Sequence, residues 1–308
     1  MKEARLTTRF ALPPVSLGSV AAAALVLFVA LVALDRVVEF GLKQLLLHSK
    51  YRYMEVYEPA PPARYLVIGN SRAGVHFPHS AKLGGEFFNL GNGGMGVAFA
   101  AALTADYVDI HGPPKTVIIE MSFVADPRSG EAAAGLARVF SQRARAIGRN
   151  VTPFQKAAEH VFHLVRFNHQ TLLNALVGLV WERGQRAVNT RVNDATIAHI
   201  EHMAPFTEAP VAANVAQVVN LIAELRRRNV SVICVLSPLL PQMREKISNF
   251  DNYVAALRSL AVSNGALFVN DAAAISNRDL FADSAHLNVE GVKKFHQLFF
   301  AQLAQQKP

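Results

Sequence analysis

A serine hydroxyl becomes a nucleophile when an imidazole can take its proton and a carboxylate holds that imidazole in place. The chain carries candidates for all three roles, widely separated in sequence. The apolar run Tyr65-Leu-Val-Ile68 leads into Gly69-Asn70-Ser71-Arg72, so Ser71 sits where a strand hands the chain to a loop and helix. Near the other end, Asp283-Ser284-Ala285-His286 places a carboxylate three residues before a histidine, a spacing that one turn can present together. In isolation this pair reads equally as a helix cap beside a packed loop histidine. The Gly-Asn-Ser segment is what gives the pair a partner.

These residues must be positioned by the elements around them. Short apolar runs at 65–68, 87–88, 116–119, 230–236 and 266–269 alternate with amphipathic patterns at about 95–110, 211–228, 250–263 and 289–304. Buried strands alternating with helices predict a mainly parallel sheet covered on both faces, a three-layer α/β/α sandwich. In such sheets ligands bind at the carboxyl ends of the strands, which is where Ser71 falls. An interval of about 124–210 breaks the rhythm and reads as a helical insertion, with helical patterns at Gly135–Ile147 and Phe154–Trp181. It carries Arg138, Arg143, Arg145 and Arg149, either solvated surface charges or a cradle for an anionic polymer.

The serine and aspartate–histidine blocks, in this order, resemble the SGNH (GDSL-like) hydrolase superfamily. Asn70 stands where Asp is commoner, and Gly94 in Asn89-Leu-Gly-Asn-Gly-Gly94 looks like the glycine of the second block. The resemblance spans roughly 64–304, apart from the insertion. It implies a flavodoxin-like α/β domain in which Ser71 is the nucleophile, His286 the general base and Asp283 its orienting group. The backbone of Ser71 and Gly94 would bind the oxyanion, with no cofactor or metal. One block departs from the pattern. Where the family has Gly-x-Asn-Asp, this chain reads Glu120-Met121-Ser122-Phe123, and Ser122 takes the place of the Asn as a single, weaker oxyanion donor.

Composition limits the remaining functions. Among 308 residues, 31 Lys+Arg against 23 Asp+Glu leave a modest basic excess of +8, with no long basic run to suggest nucleic-acid binding. The single cysteine excludes an internal disulfide framework and multi-cysteine metal sites. Cys234, within an apolar run, and Trp181 read as core, although Trp181 could also stack on sugar. His160 with His163, and His199 with His202, read as ordinary surface or packed histidines rather than metal ligands.

From Phe10 to Leu34 there are 25 residues without an ionisable side chain, after Lys2, Arg5 and Arg9. Leu17–Leu34 covers about 27 Å as a helix, close to the hydrocarbon thickness of a bilayer. The expected organisation is a cytoplasmic tail and membrane anchor at 1–36, a stalk at 37–62 and the α/β domain at 63–308. A cleaved signal peptide is the alternative, but its apolar region would be shorter and end in small residues. The basic N-terminus leans toward the cytoplasm, leaving the domain on the outer side of the inner membrane. An anchor followed by this domain resembles envelope members of the superfamily, such as the D-alanyl transfer protein of teichoic acid synthesis and exopolysaccharide O-acetylation proteins. That resemblance implies a polysaccharide substrate and a partner membrane protein supplying acyl groups.

Two other readings compete. Gly91-Asn-Gly-Gly-Met-Gly96 fits the dinucleotide fingerprint, with Glu120 as the acidic residue, although 29 residues separate Gly91 from Glu120 where about 20 are expected. The third reading is a non-catalytic anchored scaffold that binds glycan or protein.

Overall fold

The computed structural model describes residues 16–48, 51–80, 85–127, 134–147, 152–167, 171–173, 176 and 187–305. Five strands form one all-parallel sheet: β1 (Tyr65–Ile68), β2 (Phe87–Asn89), β3 (Thr116–Glu120), β4 (Ser231–Leu236) and β5 (Leu267–Asn270). Their order across the sheet is β2-β1-β3-β4-β5.

Alternation along each strand sorts the side chains onto two faces. Leu66, Ile68, Val117, Ile119, Cys234 and Phe268 pack on one face against α3 (Val97–His111), α6 (Ala212–Arg227) and α7 (Phe250–Ser263). Val67, Ile118, Val235 and Val269 face the other way, onto α2 (Ser71–His76), α5 (Asp194–His202) and α8 (Val289–Gln305). Both faces are covered, which explains why the strands are continuously apolar. The architecture is a three-layer α/β sandwich with every strand parallel. Cys234 is buried in β4, and burial pushes its thiol up to about 12.

Outside the sandwich, α1 (Leu17–Leu47) is one 31-residue helix that joins the apolar stretch to the expected stalk without a break. By length and composition it could cross a membrane, and no residue of its most apolar 18-residue window is buried by the described residues.

Among its described residues the insertion forms shorter helices than the patterns at 135–147 and 154–181 suggest. A capping box between Thr152 and Gln155, with Pro153 in the first turn, starts α4 (Pro153–Val161). It ends at Phe162, because the next amides, His163 N and Leu164 N, donate to the Asp35 carboxylate at 2.8 and 3.0 Å. The pattern at 135–147 resolves into a 3₁₀ turn (Ala137–Val139) and one helical turn (Gln142–Arg145). Trp181 and Arg149 lie outside the described residues.

Candidate active site

In the order β2-β1-β3-β4-β5 the chain reverses its direction of growth between β1 and β3, and that switch point opens a crevice at the carboxyl ends of the strands. Ser71 follows β1 and Ser122 follows β3, so both flank it. Two glycines make the turns there possible. Gly69 has φ +145°, and a Cβ on it would meet Ala73 Cβ at 2.8 Å and Glu120 Cβ at 3.0 Å. A Cβ on Gly91 would lie 2.3 Å from Gly74 N, so the loop after β2 can close on α2 only with glycine at that position. Asn70 caps α2, its side-chain oxygen accepting from Arg72 N at 2.9 Å. Ser71 is the first helical residue.

The aspartate–histidine pair forms in the loop before α8. His286 Nδ1 lies 3.0 and 2.9 Å from the two Asp283 oxygens, and Asp283 Oδ1 also accepts from the amides of Ala285 and His286. Partial burial works against ionisation of Asp283, but the His286 side chain and these amides outweigh it and hold the carboxyl below its ordinary range. In a neutral His286 this carboxylate holds the proton on Nδ1 and leaves Nε2 as the acceptor nitrogen. That Nε2 is buried and, among the described residues, has no hydrogen-bond partner. Among the described residues Ser71 Oγ also makes no hydrogen bond, and the amides of Ser71 and Gly94 donate to none.

The loop is tied to α2. Leu287 N donates to His76 Nε2 at 3.0 Å, and the His76 and His286 rings lie 6.3 Å apart, near edge to face. His76 stands five residues after Ser71, about 7–8 Å along the helix axis, and helical side chains lean back toward the N-terminus. His76 is fully buried, and burial, reinforced by the Arg72 charge, pushes its pKa well below the usual imidazole range.

From His76 a chain of hydrogen bonds runs beneath the crevice. With Nε2 accepting, Nδ1 donates to Ser237 Oγ at 2.9 Å, and Ser237 Oγ donates to Glu120 Oε1 at 3.0 Å. Glu120 Oε2 accepts from Ser122 Oγ at 2.5 Å and from Ser122 N at 3.2 Å, while Asn70 Nδ2 donates to Ser122 Oγ at 3.1 Å. The Arg72 guanidinium lies 3.8 Å from Glu120 and donates to the carbonyls of Ser237 and Pro238. Glu120 is wholly buried, so these donors replace the water a carboxylate needs. The network links the histidine loop to the residues on both sides of the crevice. Of its members, sequence reasoning singled out Asn70, Ser122 and Glu120 but gave no role to His76, Arg72 and Ser237. A charged residue ending an apolar strand was the one available signal.

Beside Ser122 lies a cavity of about 90 Å³, lined by Arg72, Ser122, Phe206, Glu208, Leu239 and Tyr253 among others. Burial, then the Asp126 charge, raises the Glu208 pKa, and burial also raises that of Tyr253. A larger groove of about 630 Å³ runs along the amino ends of the strands past Tyr65, Thr116 and Ser231, at the opposite end of the sheet from Ser71. The smaller cavity lies nearer the carboxyl ends of the strands, but its lining includes Arg72 and Ser122 and not Ser71, Gly94 or His286.

The remaining candidates fall elsewhere. Arg143 donates to Asp106 at 2.9 Å and Asp109 at 2.7 Å on α3, Arg138 to the Ile147 carbonyl at 2.6 Å, and Arg145 to the Ser141 carbonyl at 3.3 Å. In the glycine-rich segment, Gly96 caps α3 after the edge strand β2, and both Glu120 oxygens accept hydrogen bonds from within the chain. His163 Nδ1 lies 2.6 Å from Glu39 on α1.

No family model matches the chain, and no curated protein matches it. Among solved structures it is similar to one provisionally assigned as a platelet activating factor from Streptococcus pneumonia, at 12% identity and TM-score 0.40, covering 92% of this chain and 99% of that one. It is also similar to a provisionally assigned acylhydrolase from Bacteroides fragilis, at 11% identity and TM-score 0.41, covering 82% and 94%. A catalytic mutant of an acetylxylan esterase from Geobacillus stearothermophilus aligns at 14% identity and TM-score 0.37, over 79% and 94%.

Proposed function

We propose that the protein is a membrane-anchored serine esterase or O-acyltransferase that acts outside the cytoplasm on acyl groups of a surface polysaccharide. The observation that carries this reading is the Asp283–His286 pair, whose imidazole keeps a buried, unpartnered Nε2 in a loop fastened to the helix that Ser71 begins. In the proposed reaction Nε2 takes the Ser71 proton as Oγ attacks the ester carbonyl. Asp283 stabilises the imidazolium, which then protonates the leaving alkoxide. Water or a sugar hydroxyl, deprotonated by the same nitrogen, releases the acyl group. The unengaged amides of Ser71 and Gly94 are the proposed oxyanion donors. Ser122 contributes by holding Asn70 and Glu120 in place.

Retention of α1 as an anchor is supported by the bonds that tie Asp35, Arg36 and Glu39 to the insertion.

The test is labelling by a fluorophosphonate, followed by mass spectrometry of the intact protein. One adduct on Ser71 is expected, absent from Ser71→Ala and nearly absent from His286→Ala, with both variants folded. No labelling of the folded wild-type chain would instead support a non-catalytic scaffold, and labelling that survives Ser71→Ala would refute the assignment of the nucleophile.

A further inference from the structure

The helix of the insertion, α4, has two chemically distinct faces. At 100° per residue, Ala157, Val161, Phe154, Ala158 and Phe162 fall within an arc of about 140°, while Gln155, Glu159, Lys156 and His160 occupy the opposite side. Within the described residues the apolar arc has little cover: the Phe154 side chain is 82% exposed, and Val161 is exposed beside it. Further along the insertion, Val165, Leu172, Leu173 and Leu176 are exposed as well. Scattered apolar residues need no explanation, but a contiguous apolar face does.

What lies beside that face identifies its occupant. Phe162, at the edge of the arc, packs against Phe28 of α1 with ring centroids 6.1 Å apart, near edge to face. Phe28 stays half-exposed, within an apolar stretch of α1 that the described residues leave largely bare. Seven residues further on, about 10 Å along the axis, Asp35 is the first charge after that stretch. Its carboxylate accepts the amides of His163 and Leu164, and Arg36 donates to the Val161 carbonyl at 3.0 Å. The C-terminal end of α4 is therefore fixed at the level where α1 passes from apolar to charged, and its apolar arc continues the surface of α1.

We propose that α4 lies in the membrane interface, with Phe154, Ala157 and Val161 in the boundary of the acyl chains and Lys156 and His160 toward the headgroups. This inference rests on the anchored reading of α1. An amphipathic helix in this position buries its apolar side about 5–10 Å into the boundary region. Because α4 is locked to α1 through Asp35, Arg36 and Glu39, it sets the height and tilt of the α/β domain above the bilayer. The lipid surface, rather than a protein partner, is what covers the face.

The full chain in lipid nanodiscs tests this directly. Single cysteines are introduced at Val26, Phe154, Lys156, His160 and Val161 and labelled with a bimane fluorophore. Cys234 is buried, and the parent chain serves as the unlabelled control. Probes at 154 and 161 should be quenched by doxyl lipid and shielded from iodide, whereas those at 156 and 160 should show the reverse. The probe at 26 reports the anchor separately. If it is quenched by lipid while 154 and 161 respond only to iodide, the interfacial placement is overturned and the anchor stands. If lipid quenches all four positions on α4 alike, the helix is not interfacial and the inference fails. If the probe at 26 is lost by processing or responds to iodide, the anchored reading falls and this inference falls with it.

Discussion

Ser122 has one hydroxyl proton, and the 2.5 Å bond to Glu120 Oε2 uses it. The oxyanion role that its place in the sequence suggests would need that same proton. Ser122→Ala is therefore expected to act mainly on stability, leaving a buried carboxylate short of a donor at a cost of about 1–3 kcal/mol. Thermal unfolding together with the rate on an acetyl ester separates the two roles. A lower Tm with a rate within about threefold of wild type fits a positioning residue, whereas a loss of about 10²–10³ in rate at unchanged Tm would make Ser122 an oxyanion donor. Asp283→Asn should leave the domain folded and cut turnover by about 10⁴, because the amide favours the wrong imidazole tautomer. A loss of less than tenfold would mean that Asp283 does not orient His286. The Asp283–His286 contact was legible because both groups lie on one short loop. The His76–Ser237–Glu120 chain was not, since its bonds join residues 161 and 117 positions apart and only the sheet brings them together.

At the scale of elements, the strands and the four longest helices of the sandwich were readable from apolar periodicity, because a sheet covered on both faces needs continuous apolar strands. The end of α4 was not readable. It depends on a carboxylate about 128 positions away taking the amides that would have continued the helix. The contact between the histidine loop and α2 has a pH signature. His76 is held neutral, so the folded chain binds fewer protons than the unfolded one as pH falls below about 6.5, and stability falls with it. His296, whose pKa burial also lowers, acts in the same direction. Tm should therefore drop between about pH 7.5 and pH 5. His76→Gln, which can still accept from Leu287 N and donate to Ser237, should flatten that slope, and an unchanged slope would assign it to other groups. The close approach of the β2 loop to α2 gives a second expectation. Gly91→Ala forces a Cβ to within 2.3 Å of Gly74 N and should cost about 1–3 kcal/mol, read as a lower midpoint in urea unfolding. An unchanged midpoint would mean that this approach relaxes freely.

At the scale of the whole molecule, α1 and the α/β domain are not simply joined end to end. A cleaved signal helix is discarded and has no need of tertiary contacts. Here Asp35 is nearly buried, accepting two amides from the insertion, and Glu39 engages Lys43 at 2.7 Å and His163 at 2.6 Å. Phe28, well inside the apolar stretch, packs on Phe162. Cleavage near residue 34 would remove Phe28 and leave Asp35 at a free amino terminus, undoing the clamp at its first anchoring point. The mature chain is therefore expected to keep residues 1–34 and to partition wholly with membranes, with a periplasm-dependent reporter fused after Pro308 active. Intact mass and carbonate extraction of the purified membranes measure both properties, and a soluble chain beginning near Asp35 would overturn the anchor. The clamp adds a sharper expectation. Asp35→Asn together with Glu39→Gln removes the charges that hold the insertion but leaves the apolar stretch untouched. Membrane retention should persist while limited proteolysis of the insertion around residues 152–167 accelerates. Equal loss of membrane retention would mean that the two carboxylates serve insertion of α1 into the bilayer rather than its docking to the domain.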